Sequence, residues 1–454
     1  MTITRPQMAY TTYTIKIRTL RVVSRASARK IGANRGSSVP NKLEIYFAGS
    51  SIAGNRWLSF LAFLRDAPWL TRGRLFWYST ALIAGTVAVM TWVLSGHGMA
   101  DPMGRPIGTD FLRLWTASYA LLNGEVRVIY QPDGFFALER AVTQPATPYF
   151  YPWNYPPSSF LIVYPLALLP YLQSLAAWLA LGLAGYLAAL WRIFPKPLTL
   201  WVGLAFPAVI WTVTHGQTSF LTTSLFCWGL LQLPRRPVLA GILFGALTFK
   251  PHLGLLLPIA LVAGGHWRAF VAAALTAILS AAGSVVLFGI GVWADFLAST
   301  TETWNMLESG MNFGHYYKMQ SVFAAARLLG SPMLVAYGLQ ALAALVAAAA
   351  VVWVWRRPTG DPDMKNAALM AATPLSTAFI FDYDLMVLAP AIAWLARKGV
   401  TDTALPYERT ILVATFLAPF VSRVVGMYTH LLLAPIFIAA LIVVIVRRIQ
   451  GCRV

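Results

Sequence analysis

The sequence predicts an all-α fold, a polytopic transmembrane helical bundle of about 12 spans with a long first extracytoplasmic loop that carries interfacial helices. Three observations predict it. Of 454 residues, 58% are hydrophobic and 11% charged, against about 25% charged in soluble domains, and the mean hydropathy is +0.64. Apolar runs recur along nearly all of the chain after residue 76, at lengths near the roughly 20 residues that a hydrocarbon core about 30 Å thick requires. The charges between those runs alternate in the way the positive-inside rule demands.

Residues 1–56 mix Thr, Ser, Arg and Lys without a sustained period and predict a disordered basic tail rather than a signal peptide, because no short apolar core with a small-residue cleavage site stands near the start. Trp57, Phe60, Leu61, Leu64 and Trp69 beside Arg65 and Asp66 predict an interfacial helix over 57–70. The first span is expected over 77–94, preceded by Arg72 and Arg74. This divides the chain into a basic segment, 1–76, and a transmembrane domain, 77–454. The connection 95–156 holds a helix-like piece over 110–122 with Leu112, Trp115, Tyr119 and Leu122 on one face, and ends in the rigid run Tyr151-Pro-Trp-Asn-Tyr-Pro-Pro157. Residues 158–169 are short and Pro-bounded, hence a partial or re-entrant element, and 172–191 crosses back. Further runs follow at 198–213, 218–233, 237–249, 253–264, 269–292, 333–355, 367–379, 385–396, 410–420 and 431–446. If they alternate, Arg192, Lys196, Arg235, Arg236, Arg268, Arg356, Arg357, Lys365, Arg397, Lys398, Arg447 and Arg448 all fall inside, with both termini cytoplasmic. The runs flanking Lys250-Pro-His252 are too short for a full crossing and predict broken helices lining a cavity.

The formal charge of +19 is not a nucleic-acid footprint. Residues 1–76 hold 13 basic and 2 acidic residues, so +11 of it lies there, and no folded domain with a basic face is visible. The two cysteines, Cys227 in an apolar run and Cys452 near the C-terminus, form neither a disulfide framework nor a metal site. No metal and no cofactor are expected.

On the extracytoplasmic side the topology collects Asp110, Arg113, Tyr155, His215, Gln217, Lys250, His252, Glu302, Glu308, His315, Tyr316, Tyr317, Lys318, Asp382, Asp384 and Arg423. Ionisable groups at membrane depth are costly and tend to be functional. Asp110 can act as a general base for a hydroxyl or as the N-cap of the helix that follows. Lys250 and His252 flank Pro251, a helix break suited to a phosphate; snorkelling of Lys250 to the interface competes with that reading. His215-Gly-Gln217 reads equally as a polar hairpin turn or a substrate contact. The run Asn312-Phe-Gly-His-Tyr-Tyr-Lys318, with His315, Tyr316 and Tyr317, suits a sugar ring or headgroup or forms an aromatic belt. Asp382 and Asp384 are a second acid, a metal ligand or solvated helix-end charges.

Thr109-Asp-Phe111, the run Trp115…Ala120-Leu-Leu122…Gly124…Ile129-Tyr-Gln-Pro132, Tyr155-Pro-Pro157, Pro165-Leu-Ala…Leu-Pro170, His215-Gly-Gln217, Lys250-Pro…Gly254-Leu-Leu-Leu-Pro258 and Asp382-Tyr-Asp384 together resemble glycosyltransferase family 87. Its members are GT-C-type enzymes that include mycobacterial polyprenol-phosphate-mannose-dependent mannosyltransferases. The resemblance spans about residues 77–446, and Thr218 stands where many relatives carry Asn. It implies a GT-C-like fold and a plasma-membrane transferase that moves a hexose, with mannose expected, from a polyprenyl-phosphate donor to a lipid or glycan acceptor on the extracytoplasmic face. By the same resemblance Asp110 is the catalytic base and Lys250, His252 and His315 hold the donor phosphate. Tyr155, His215, Gln217, Tyr316, Asp382 and Asp384 contact substrate. The competing function is a transporter or flippase of a lipid-linked sugar or other anion.

Overall fold

The computed structural model describes residues 56–143, 152–308, 313–358 and 360–451, without the side chains of 302–315. The chain divides into two compact units, Met1–Trp57 and Leu58–Val454; the expected basic tail lies outside the described residues, and the second unit carries the fold. In order it contains α1 Arg72–Leu94, α2 Thr109–Leu122, α3 Pro132–Val142, α4 Phe160–Val163, α5 Tyr171–Ile193, α6 Pro197–Leu204, α7 Ala208–His215, α8 Ser219–Gln232, α9 Pro237–Ala246, α10 Leu257–Ala263, α11 Trp267–Phe288, α12 Gly291–Glu308, α13 Val322–Leu328, α14 Met333–Trp355, α15 Pro362–Ala372, α16 Leu388–Thr401, α17 Glu408–Thr429 and α18 Ala434–Gly451. Among the described residues there is no strand, only two isolated bridges.

Six of these helices, α1, α5, α11, α14, α17 and α18, are long and apolar enough to cross a membrane, and the pair α6 and α7, bent by 59°, makes a seventh if taken as one span. The chain is therefore a multi-pass membrane protein. The expected count of about 12 includes runs that fold as shorter elements: α8, α15 and α16 have 14, 11 and 14 residues, and 237–249 and 251–263 are apolar helical stretches that together flank Lys250. Prolines account for the interruptions. Pro207 follows directly on the C-terminal turn of α6, and Pro251 starts a 3-10 turn (Pro251–Gly254) after the 3-10 turn Leu247–Phe249, since proline has no N–H to continue the ladder. The segment 158–169 folds as the short element expected, α4 with a 3-10 turn on either side.

Side chains such as Leu181, Leu279, Val286, Leu334 and Leu345 point outward from the spans, as they do where lipid is the solvent. Contact between spans then relies on close backbone approach at small residues. A Cβ at Gly241 would lie 2.4 Å from the Ala269 carbonyl oxygen and one at Gly245 2.5 Å from Thr276 Cβ, so these two glycines set α9 against α11. The main core lies between α5, α8, α9, α15, α16 and α18; a second, aromatic core wraps α2 with Tyr130, Trp153, Tyr155, Phe160 and Tyr171. The chain just before α1 is anchored separately: the Thr410 hydroxyl donates to the Leu64 carbonyl at 2.6 Å, and the Tyr407 N–H to the Arg65 carbonyl at 2.9 Å.

Candidate active site

The site is built where the first turn of α2 meets the turn between α7 and α8. Two glycines allow that meeting. Gly108 (φ 72°) starts α2 and Gly216 (φ 66°) ends α7, both in the left-handed region where a side chain is strained. A Cβ on Gly216 would sit 2.5 Å from Phe111 Cβ, and one on Gly108 2.9 Å from Leu175. From α5, the Tyr171 hydroxyl donates to the carbonyls of Ile107 and Gly108, at 2.7 and 3.1 Å, fixing the entry to α2.

Gly108, not Asp110, occupies the N-cap position of α2, with no side-chain capping bond. The capping reading of Asp110 is thereby replaced: its carboxylate accepts from the Gln217 amide at 2.9 Å and lies 3.3 Å from the Arg113 guanidinium one turn along. Burial disfavours ionisation of Asp110, but Arg113, His215 and the Gln217 amide outweigh it and hold the carboxyl below its usual range. Next to it, His215 Nδ1 and the Thr109 hydroxyl share a hydrogen bond of 2.8 Å.

From Gln217 the network runs on to the broken helix. The Thr218 N–H donates to the Gln217 side-chain oxygen at 2.9 Å, and Lys250 Nζ donates to the Thr218 hydroxyl at 3.3 Å and to Asp384 at 2.5 Å. Asp110 and Lys250, separated in sequence, thus belong to one hydrogen-bonded chain. Lys250 is 5% exposed and also lies 5.3 Å from the centre of the Tyr383 ring. His252 sits in the following 3-10 turn, its Nε2 buried without a hydrogen-bond partner. Asp382 accepts from Arg423 at 2.5 Å, and the Arg423 guanidinium lies 3.8 Å from the centre of the Trp211 ring. Trp211, in turn, stacks on His215 at 6.5 Å and donates to the Pro419 carbonyl at 3.1 Å.

Tyr155 is buried beneath Arg113, whose guanidinium lies 5.6 Å from its ring centre. Tyr316 goes elsewhere: it is 1% exposed in a cluster with Phe323 and Met319. The His315 side chain lies outside the described residues. The sequence reading names Arg113, Lys318 and Arg423 only among the polar residues of the extracytoplasmic side and gives no individual role to Thr109, Trp211, Thr218 or Tyr383; all seven border this network. Two of them carry a local signal. Arg113 follows Asp110 at helical i+3 spacing, and Trp211 precedes His215 at i+4.

An apolar groove of about 500 Å³ is lined by Leu161, Val238, Ile242, Leu275, Thr276 and Leu279. Its walls, α4 and α9, lead respectively from Tyr155-Pro-Pro157 and into Lys250.

No curated protein and no solved structure matches the chain. A family model, glycosyltransferase family 87, matches residues 153–381, just over half of the 454. The match takes in Tyr155, His215, Gln217, Lys250, His252, His315 and Tyr316, and leaves Asp110, Asp382 and Asp384 outside its bounds. With a multi-pass helical fold and a half-buried, cation-flanked carboxylate beside those residues, the chain belongs to glycosyltransferase family 87 and is a membrane glycosyltransferase.

Proposed function

We propose that the enzyme moves a hexose, with mannose expected, from a polyprenyl-phosphate donor to the hydroxyl of a lipid or glycan acceptor at the extracytoplasmic face of the plasma membrane, in a GT-C-like bundle with both termini cytoplasmic. The observation that carries this reading is the Asp110 carboxylate, held by Gln217 and Arg113 in a network that also contains Lys250. Asp110 takes the proton of the acceptor hydroxyl. The hydroxyl oxygen attacks the anomeric carbon, and the carbon–oxygen bond to phosphate breaks, with its electron pair leaving on a polyprenyl monophosphate. Direct displacement inverts the anomeric centre. Alignment of the reactants and cationic stabilisation of the departing phosphate supply most of the acceleration, with Lys250, His252 and His315 the groups the family resemblance offers to that phosphate. Tyr155, His215, Gln217, Tyr316, Asp382 and Asp384 are the substrate contacts it implies.

A lipid-linked donor is supported by the apolar groove, whose lining helices α4 and α9 are joined along the chain to Tyr155-Pro-Pro157 and to Lys250. The orientation is supported by Arg192, Arg397, Lys398, Arg447 and Arg448 at helix ends away from the cluster. A rival reading, a flippase for a lipid-linked sugar, draws on the 59° break between α6 and α7, since transporters place binding sites at such breaks. Proteoliposomes separate the two: sugar transfer from a polyprenyl-phosphate donor should fall with Asp110→Asn while donor binding persists. Translocation of donor without any transfer would sink the transferase reading.

A further inference from the structure

The cations around Asp110 are not equivalent. Lys250 is buried against Asp384 and hydrogen-bonded to Thr218. Arg113 is held by Asp110 and donates to the Pro152 carbonyl at 3.4 Å. Arg423 is paired with Asp382 and covered on one face by Trp211. Lys318 alone of this group has no ion pair among the described residues, and it is half-buried.

Its position is fixed by the backbone. The Asp382 N–H donates to the Lys318 carbonyl at 3.1 Å, the Gln320 N–H to the Ile380 carbonyl at 2.7 Å, and Met319 and Phe381 form an antiparallel bridge. This clasp sets Lys318 beside the Asp382–Arg423 pair, where its charge acts on His215 and on Asp110. Asp382 is the ion-pair partner of Arg423 alone, so the neighbouring Lys318 is left without a paired carboxylate, and Arg105, itself paired with Asp101 at 2.8 Å, adds to the same positive field. A compact ammonium with three free donors in such a field is completed by an anionic oxygen.

We propose that Lys318, backed by Arg423, is the docking point for the anionic phosphate of the substrate, and that Lys250, in place of the phosphate contact the family resemblance gives it, is an internal brace neutralised by Asp384. The assignment rests on the transferase reading for its ligand, a prenyl phosphate, and on the charge balance of the cluster for its place. It puts the phosphate on the His215 side of Asp110 and leaves the chain Gln217–Thr218–Lys250 to position the base.

The test uses the full chain in nanodiscs of neutral phosphatidylcholine, titrated with farnesyl phosphate, farnesol and inorganic phosphate. Lys318→Ala should weaken farnesyl phosphate roughly tenfold or more, the loss expected for a hydrogen bond between charged groups. Lys318→Glu should weaken it further, and Lys318→Arg should restore it to within about threefold of wild type. Farnesol binding should not change across the series. Displacement of farnesyl phosphate by inorganic phosphate in wild type supports recognition of the headgroup itself. Recovery by Lys318→Arg and an unchanged unfolding temperature exclude a folding defect. Equal farnesyl phosphate affinity in wild type and Lys318→Ala overturns the proposal and leaves the transferase reading standing. A wild type that binds farnesyl phosphate no better than farnesol overturns the donor class as well.

Discussion

Helix α16 and the 3-10 turn that leads into it, Asp384–Val387, join two ionic clusters that differ in how fully their charges are matched. At the far end, about 21 Å along a helix of this length, Lys398 reaches Asp361 at 2.7 Å and Asp402 at 3.7 Å, Arg448 reaches Glu408 at 2.7 Å and Asp402 at 3.9 Å, and Arg397 pairs with Asp363. Each cation there binds a carboxylate from another helix or its flanking loop, which ties α15, α16, α17 and α18 together. At the near end, Asp384 and Asp382 each take one cation, Lys318 has none among the described carboxylates, and Arg113 Nε and His252 Nε2 are buried without partners. Matched buried charge holds a shape. Polar capacity left over in a buried cluster marks where a substrate completes it.

The largest expected effect separates the two clusters by function. Asp110→Asn should lower kcat for sugar transfer by roughly 10²- to 10⁴-fold, the contribution typical of a positioned general base, with donor affinity within about threefold of wild type. Glu408→Gln, which disturbs the far cluster, should leave the rate per folded molecule unchanged. Comparable losses of kcat in both variants would break the contrast.

Stability should treat the two clusters alike. Removing one partner of a buried pair leaves an uncompensated charge, at a cost of about 3–5 kcal/mol, so Lys250→Met and Arg448→Met should lower thermal stability in detergent to a similar degree. Replacing both partners with apolar residues, Lys250→Met with Asp384→Leu or Arg448→Met with Glu408→Leu, should recover most of it. Transfer activity should return only in the second double variant. Recovery of activity in the first would remove Lys250 and Asp384 from the working site. A smaller loss is expected of Gly216→Ala, where a positive φ and the approach to Phe111 cost about 1–3 kcal/mol; an unchanged unfolding temperature would mean that the turn relaxes freely.

The far cluster was partly legible in the sequence, because positive charge at alternate helix ends follows from topology alone. The spans were legible where apolar runs exceed one crossing, as in α11 and α14. The count of about 12 exceeds the six long helices because hydropathy does not distinguish a span from a short buried helix; α8 and α16 read as spans by composition. In the near cluster, Asp110, Gln217 and Lys250 stand out as polar residues in apolar surroundings. Their partnership was not legible: Asp110 and Gln217 are 107 residues apart, and nothing periodic connects the first turn of α2 to the turn between α7 and α8. Lys318 was legible only as one of the polar residues collected on the extracytoplasmic side, without a role of its own. One lysine in a polar loop carries no pattern, and its significance comes only from the carboxylates that its neighbours already occupy.

The smallest expected effect is a flat one, and it bears on which carboxylate is the base. A base works deprotonated, so transfer is lost only as pH falls through its folded-state pKa. For Asp110 burial alone would raise that value, but Arg113 and His215 hold it below the ordinary range, and kcat/KM should therefore stay level from pH 7 to about pH 5, still above the usual carboxylate value of about 3.9. The stability contribution has the same sign: a depressed carboxyl pKa stabilises above the unfolded value, and the effect disappears as pH falls through the folded one. Asp382 behaves in the opposite way, its carboxyl pushed up to about 6 by burial against the pull of Arg423. An acid limb centred near pH 6 would transfer the base role toward Asp382, whereas a level profile whose limb moves upward in Arg113→Gln would tie the rate to Asp110 and to the guanidinium that keeps it charged.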